Sequence, residues 1–273
     1  MTKGVVFIKE TEHRPTARVL NILELLATNP EGLTLTEISV AINAPKSSIF
    51  PVIHTMVQRK FIFANDNNSK YTIAIAAFCV GSAYTRNMNA LQFIQSEMKY
   101  IVERSGEICQ LGILDRDMVL YVAKADSDEA IRLVSYVGKR LPLYCTALGK
   151  ILISRKSIDE IKALYPNGLK AFTKNTITDF NVLEETLCKI RETDIAYEQE
   201  EVTEHIYCIS VPLVKEEDVV AGLSVSIPSF RMNDQKSELI KSLLLGSRSK
   251  IETFFRENNI DVNNLTFSEK TKL

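Results

Sequence analysis

Residues 16–59 read TARVLNILELLATNPEGLTLTEISVAINAPKSSIFPVIHTMVQR, and the punctuation of this stretch decides the fold of the front of the chain. Val19, Ile22, Leu23 and Leu26 recur at helical spacing, so a first helix runs from Thr16 to Ala27. Asn29, Pro30 and Gly32 break it. Thr34, with Glu37 three residues on, makes a capping box that starts a second helix whose buried face is Leu35, Ile38 and Ala41. After the turn Asn43-Ala44-Pro45, a third helix spans Lys46 to Arg59 with Ile49, Val52, Ile53 and Met56 as its apolar stripe. Two β-prone runs follow, Phe61 to Phe63 and Tyr71 to Ile73, joined by Asp66-Asn67-Asn68, residue types that tolerate a hairpin turn. Three short helices and a hairpin are the parts of a winged helix-turn-helix, whose second motif helix enters the DNA major groove.

Beyond the hairpin, the pattern predicts helix from Ile75 to about Ser105, first as a linker and then as the opening of a second domain. An antiparallel hairpin is expected from Ile108 to Leu114 and Val119 to Ala123, turning at Asp115-Arg116-Asp117. Helices are expected at Ala147 to Ser154, Ser157 to Leu164, Val182 to Glu192 and Asp234 to Phe255. Strands are expected at Ile195 to Tyr197, Tyr207 to Val214 and Val219 to Ile227. Helices mixed with antiparallel strands in this order indicate an α+β sensory domain.

A chain of 273 residues accommodates two domains, and 45% hydrophobic with 25% charged residues is the composition of a globular protein. No stretch approaches the roughly 20 apolar residues of a membrane helix, and Met1 to Pro15 lacks a secretory pattern; a cytoplasmic location without a membrane partner is expected. Residues 1–90 hold nine Lys/Arg against six Asp/Glu, and the remainder is net negative, a weak hint that the front meets an anion. Five cysteines without a Cys-x-x-Cys pair argue against a disulfide framework or a zinc finger.

Each candidate site has a plainer alternative. Lys46, Ser47 and Ser48 at the start of the third helix suit phosphate or base-edge contacts, or they simply solvate the cap of a helical dimerisation module. Cys145 and Cys208 serve as small buried hydrophobes, or as a catalytic thiol given a nearby histidine. His205 with Cys208 and Cys145 has the donor chemistry of zinc, or is a structural histidine. A thiol- or metal-dependent hydrolase on the back domain is therefore the competing class, without a Walker, Rossmann or Gly-x-Ser-x-Gly motif in its favour.

The runs RVLNILELLA (Arg18 to Ala27), GLTLTEI (Gly32 to Ile38) and APKSSI (Ala44 to Ile49) resemble the DNA-binding domain of the IclR family of bacterial transcriptional regulators. The resemblance continues through LPLYCTALGK (Leu141 to Lys150), IAYEQEE (Ile195 to Glu201), Tyr207 to Pro212, AGLSVSIP (Ala221 to Pro228) and Arg231, about nine-tenths of the chain in order. It implies a winged helix-turn-helix at 1–75, a linker helix at 76–90, a GAF-like effector-binding domain with an antiparallel sheet at 91–260 and a tail at 261–273. The implied DNA contacts are Arg18, Thr34, Lys46, Ser47, Ser48, Phe50 and Lys70. The implied effector contacts are Leu133, Leu141, Ala147, Leu148, Glu198, Ile206, Cys208, Ser224 and Ser226. The effector is expected to be a small organic acid, its carboxylate meeting backbone N–H groups at Ala147 and Leu148. Ser224 and Ser226, two apart on a strand, share a face, whereas an acid at Glu198 repels a carboxylate unless it is paired, protonated or bonded to a ligand hydroxyl. The expected partners are a palindromic operator in double-stranded DNA, the effector, and further copies of the chain as a homodimer or homotetramer. No catalytic residue, metal or cofactor is expected.

Two positions depart from the family. Glu204-His205-Ile206 stands where a glycine is usual, and Pro51 stands where the family usually has an arginine. Proline inside a helix removes a donor and predicts a bent or late-starting recognition helix, and the cation is missing. Restoring it by Pro51→Arg is expected to strengthen DNA binding in a mobility-shift titration; equal or weaker binding contradicts this.

Overall fold

Arg14 to Ala27 form α1, with Pro15 in the first turn, where its missing N–H leaves no helical bond unmade. The computed structural model describes residues 13–65, 67, 69–86, 89–129, 136–258 and 260, and they divide between 88 and 89 into two units. In the first unit, β1 (Leu33–Thr34) leads into α2 (Leu35–Ala41) through the expected capping box. The Thr34 hydroxyl accepts the Glu37 N–H at 3.3 Å, and Glu37 Oε2 accepts the Thr34 N–H at 2.8 Å. α3 (Lys46–Gln58) starts ahead of Pro51 and continues through it, so the expected late start does not occur. Pro51 lies on the solvent side, and its carbonyl accepts the Thr55 hydroxyl at 2.9 Å. Ile22, Leu26, Ile38, Ile49, Ile53 and Met56 from the three helices fill one core.

The wing is β2 (Ile62–Asn65) and β3 (Lys70–Ile73), antiparallel, with β1 added on the far side of β3. β1 is an addition to the sequence reading, because two residues are too few to show a strand's alternation. Asp66 and Asn68 of the expected turn lie outside the described residues. Within the helical stretch expected over 75–105, α4 (Ile75–Arg86) belongs to one unit and α5 (Asn89–Ser105) to the other, and Asn87 and Met88 lie outside the described residues.

The second unit is a six-stranded antiparallel sheet built from β4 (Ile108–Asp115), β5 (Met118–Ala125), β6 (Arg140–Pro142), β7 (Ala196–Gln199), β8 (Ile206–Lys215) and β9 (Asp218–Pro228), in the order β6-β5-β4-β9-β8-β7. Asp115 pairs with Met118, which shortens the expected turn to Arg116 and Asp117. β6, three residues at the sheet edge, is a second strand without a legible pattern. One face buries Cys109, Leu111, Ile209, Val211, Leu223 and Val225 beneath α5 and α9 (Asp234–Glu257). Near the ends of those two helices, Glu107 at the foot of β4 takes both arms of Arg231, at 2.9 and 2.7 Å.

The other face is of a different kind. Glu198, Cys208 and Ser226 lie side by side on β7, β8 and β9, next to the row Ala196, Ser210, Ser224 and Gln110. Over this polar, small-residue face sits α6 (Ala147–Ile153), backed by α7 (Ile158–Leu164) and α8 (Phe180–Thr193). A Cβ on Gly149 would lie 2.1 Å from the Leu143 carbonyl oxygen and 2.4 Å from its Cα, both rigid backbone atoms. A Cβ on Gly222 of β9 would lie 2.8 Å from Leu148 Cδ2. Gly149 therefore lets α6 fold back against the segment that leads into it, and Gly222 leaves room for the Leu148 side chain on the sheet. Gly149→Ala is expected to cost at least about 3 kcal/mol of stability through overpacking, whereas Gly246→Ala, in open space on α9, should gain roughly 0.5–1 kcal/mol. Urea unfolding of the two variants checks this; equal effects would contradict it.

Candidate functional site

The outward side of α3 carries Lys46, Ser47, Phe50, Pro51 and His54, all exposed. Of the expected DNA contacts, Lys46, Ser47 and Phe50 share this side. The other two hydroxyls are committed internally: Ser48 donates to the Pro45 carbonyl at 2.7 Å, and Thr34 to Glu37 Oε2 at 2.8 Å. Those Thr34 bonds, backbone first, hold the Glu37 carboxyl below its usual range. Arg18 on α1 and Lys70 on the wing are half-buried.

In the second unit a cavity of about 30 Å³ lies between the N-terminal end of α6 and the polar face of the sheet. Eight expected effector residues line it: Leu141, Ala147, Leu148, Glu198, Ile206, Cys208, Ser224 and Ser226. Leu133 lies outside the described residues. Sequence reasoning missed Gln110, Tyr121, Lys139, Thr146, Val202 and Thr203, which complete the lining. Gln110 carried a signal, being a polar residue in the middle of an apolar strand run; Lys139 carried none. A wider cleft of about 600 Å³ between α5 and the end of β5 is lined by charges of both signs, among them Lys99, Glu103, Asp126 and Asp128, and holds none of the expected residues.

The hydroxyls of the cavity are tied to the sheet. Ser226 Oγ donates to Gln110 Oε1 at 3.0 Å and lies 3.3 Å from Cys208 Sγ, while Ser224 Oγ donates to the Ile209 carbonyl at 3.1 Å. Thr146 caps α6 by accepting the Gly149 N–H at 3.0 Å. That leaves the N–H groups of Ala147 and Leu148, in the first turn, outside the intrahelical ladder. Lys139 is half-buried, which pulls its ammonium below the usual lysine range, and it has no ion-pair partner among the described residues.

Beside the cavity is a buried ionic cluster. Lys150, 1% exposed, donates to the Tyr197 carbonyl at 3.0 Å and to Glu201 Oε1. Glu201 Oε2 is buried without a hydrogen-bond partner among the described residues. Glu198 Oε1 accepts the N–H groups of Glu201 and Val202 at 2.7 and 3.3 Å, so this acid closes the turn that follows β7. Burial pushes both carboxyls above the usual range, against the opposing pull of hydrogen bonds and of Lys150. The sequence did hold a sign of the cluster, since Lys150 interrupts the otherwise apolar run of α6.

The thiols have the surroundings of core residues. Burial pushes Cys145 up to about 12 and raises Cys208 well above the ordinary thiol range. A thiolate nucleophile needs the reverse shift. His205 is exposed at the end of the turn, and among the described residues no group of three or more His, Cys, Asp or Glu side chains is placed to hold a metal.

A helix-turn-helix with a wing, followed by a domain whose sheet and helix flank a cavity lined by both apolar and polar side chains, defines a ligand-responsive transcriptional regulator. The IclR helix-turn-helix domain matches residues 15–63, and the C-terminal domain of the bacterial transcriptional regulator IclR matches residues 82–252. The chain belongs to the IclR family, with a DNA-binding front domain and an effector-binding C-terminal domain. It is 30% identical over 236 residues to the HTH-type transcriptional regulator KdgR of Escherichia coli, covering 86% of this chain and 89% of that protein. Its fold matches an IclR transcriptional regulator from Alicyclobacillus acidocaldarius with a TM-score of 0.83 at 22% identity, over 89% of this chain and 99% of the other. It also matches an IclR homologue from Microbacterium hydrocarbonoxydans, solved with 4-hydroxybenzoate, with a TM-score of 0.74 at 21% identity over 88% of this chain and 99% of the other.

Removing one member of the ionic cluster leaves the other buried and uncompensated. Lys150→Met is expected to destabilise the protein by about 3–5 kcal/mol, and adding Glu201→Leu should restore most of the loss. A single variant as stable as the parent in urea unfolding contradicts this account.

Proposed function

We propose that this regulator binds a small organic acid in the cavity under α6, with the carboxylate directed to Lys139 and the first-turn N–H groups of α6. The observation that carries the reading is Lys139. A partly desolvated ammonium without an ion-pair partner among the described residues favours an arriving anion, because charges removed from water are stable when paired. The polar cavity floor and the homologue solved with 4-hydroxybenzoate, itself an organic acid, support the same class. Glu198 is held in place by two backbone N–H groups, and burial pushes its carboxyl above the usual range.

A volume of about 30 Å³ has room for about one water molecule, so the effector needs an opened cavity. Opening falls to the turn over residues 200–205, which supplies Val202 and Thr203 and is bounded by left-handed residues, Glu200 at φ 58° and His205 at φ 64°. The protein acts in the cytoplasm without catalysing a reaction. It binds a palindromic operator as a dimer or tetramer, since one short recognition helix reads few base pairs and paired half-sites one helical turn apart read more. The exposed apolar residues Ile75, Phe78 and Val80 of α4 suit that association. The effector changes DNA binding to the extent that it prefers one arrangement of the assembled protein.

Thermal unfolding is the direct test, with pyruvate, glycolate, lactate, gluconate and 4-hydroxybenzoate compared with glycerol and glucose. An acid present at 100 times its Kd should add about 2.7 kcal/mol of stability. Lys139→Met should lose most of that response without losing stability in the absence of ligand. Stabilisation by the neutral compounds alone, or an acid response equal in the variant, contradicts the reading.

A further inference from the structure

The DNA-facing side of α3 is short of cations and rich in carbon. From Lys46 to Gln58 the helix has one Lys, at its first position, and no Arg. The inner side, Ile49, Ile53 and Met56, fills the core, so Phe50 and Pro51 are left on the outside, with Phe50 53% exposed. Its ring centroid lies 6.5 Å from that of His54, one turn further along the same side. A ring held this way on a helix surface presents apolar area that becomes stabilising only when something apolar covers it.

What covers it is constrained by the motif. The family helix-turn-helix covers residues 15–63, and in that motif the outward side of the second helix faces base edges in the major groove. Guanine is read there by a forked Arg or a Lys against O6 and N7, and beyond its first residue α3 has neither. The one apolar group on a base edge in the major groove is the C5 methyl of thymine, which aromatic side chains contact. We propose that Phe50 reads thymine methyl groups, so that the operator positions under α3 are specified by thymine and not by guanine.

The test uses the full-length protein to enrich duplexes from a random pool. The enriched sequence is rebuilt with each thymine in turn replaced by deoxyuridine, which removes only the methyl. At the positions under α3 each replacement is expected to weaken binding about 4-fold, the worth of one buried methyl-sized group. Phe50→Ala should bind the thymine and deoxyuridine duplexes equally well, with an unfolding midpoint equal to that of the parent because the side chain is exposed. Phe50→Leu should keep part of the thymine preference. An enriched half-site without thymine, tolerance of deoxyuridine at every position, or a Phe50→Ala protein that still prefers thymine overturns the proposal while leaving DNA binding intact. Failure to enrich any duplex overturns it together with DNA binding by this domain.

Discussion

The second domain depends on how closely α6 sits on its sheet. Gly149 lies against the backbone of Leu143, and Leu148 lies over Gly222, in spaces where a Cβ would collide. The close approach removes Lys150 from water, and the ammonium then needs the Tyr197 carbonyl and Glu201. Glu201 in turn stands in the turn that Glu198 closes through two backbone N–H groups. The packing of α6 thus links the floor of the cavity to its wall. A helix standing further off would leave Lys150 hydrated and the polar face of β8 and β9 open to water.

The same constraint explains a mixture of residues that is unusual for a core. The face beneath α5 and α9 is aliphatic, but the face beneath α6 carries Gln110, Ser210, Ser224, Ser226, Cys208 and Glu198. Each hydroxyl among them is satisfied by a neighbour at the sheet. A buried polar surface of this kind is tolerated because its hydrogen bonds are made, and it leaves groups that can exchange partners when a ligand enters.

Much of this was legible in the sequence, and what was not has physical reasons. The helices of the front domain and the long strands β4, β5, β8 and β9 each contain enough residues to show a period. β1 and β6 do not, and they pair only because a neighbouring strand is already in place. Eight effector candidates came together at one cavity because their segments flank its floor and helix. Lys139 did not come from the sequence: a lone lysine before a short edge strand looks like any exposed lysine until half of it is buried beside Tyr121. Thr34 and Ser48 show the reverse case, since hydroxyls suited to DNA are already engaged, Thr34 in the capping box of α2 and Ser48 on the Pro45 carbonyl.

The pairing of an acid with Lys139 in the α6 cavity is open to direct observation. The most direct measurement is a crystal structure of the protein grown with the acid that stabilises it most in thermal unfolding. With the acid bound, the carboxylate is expected within hydrogen-bond distance of Lys139 Nζ, in a cavity larger than the present volume of about 30 Å³, with the turn at residues 200–205 displaced. Ligand density in the cleft between α5 and β5, with the α6 cavity still closed, would contradict it.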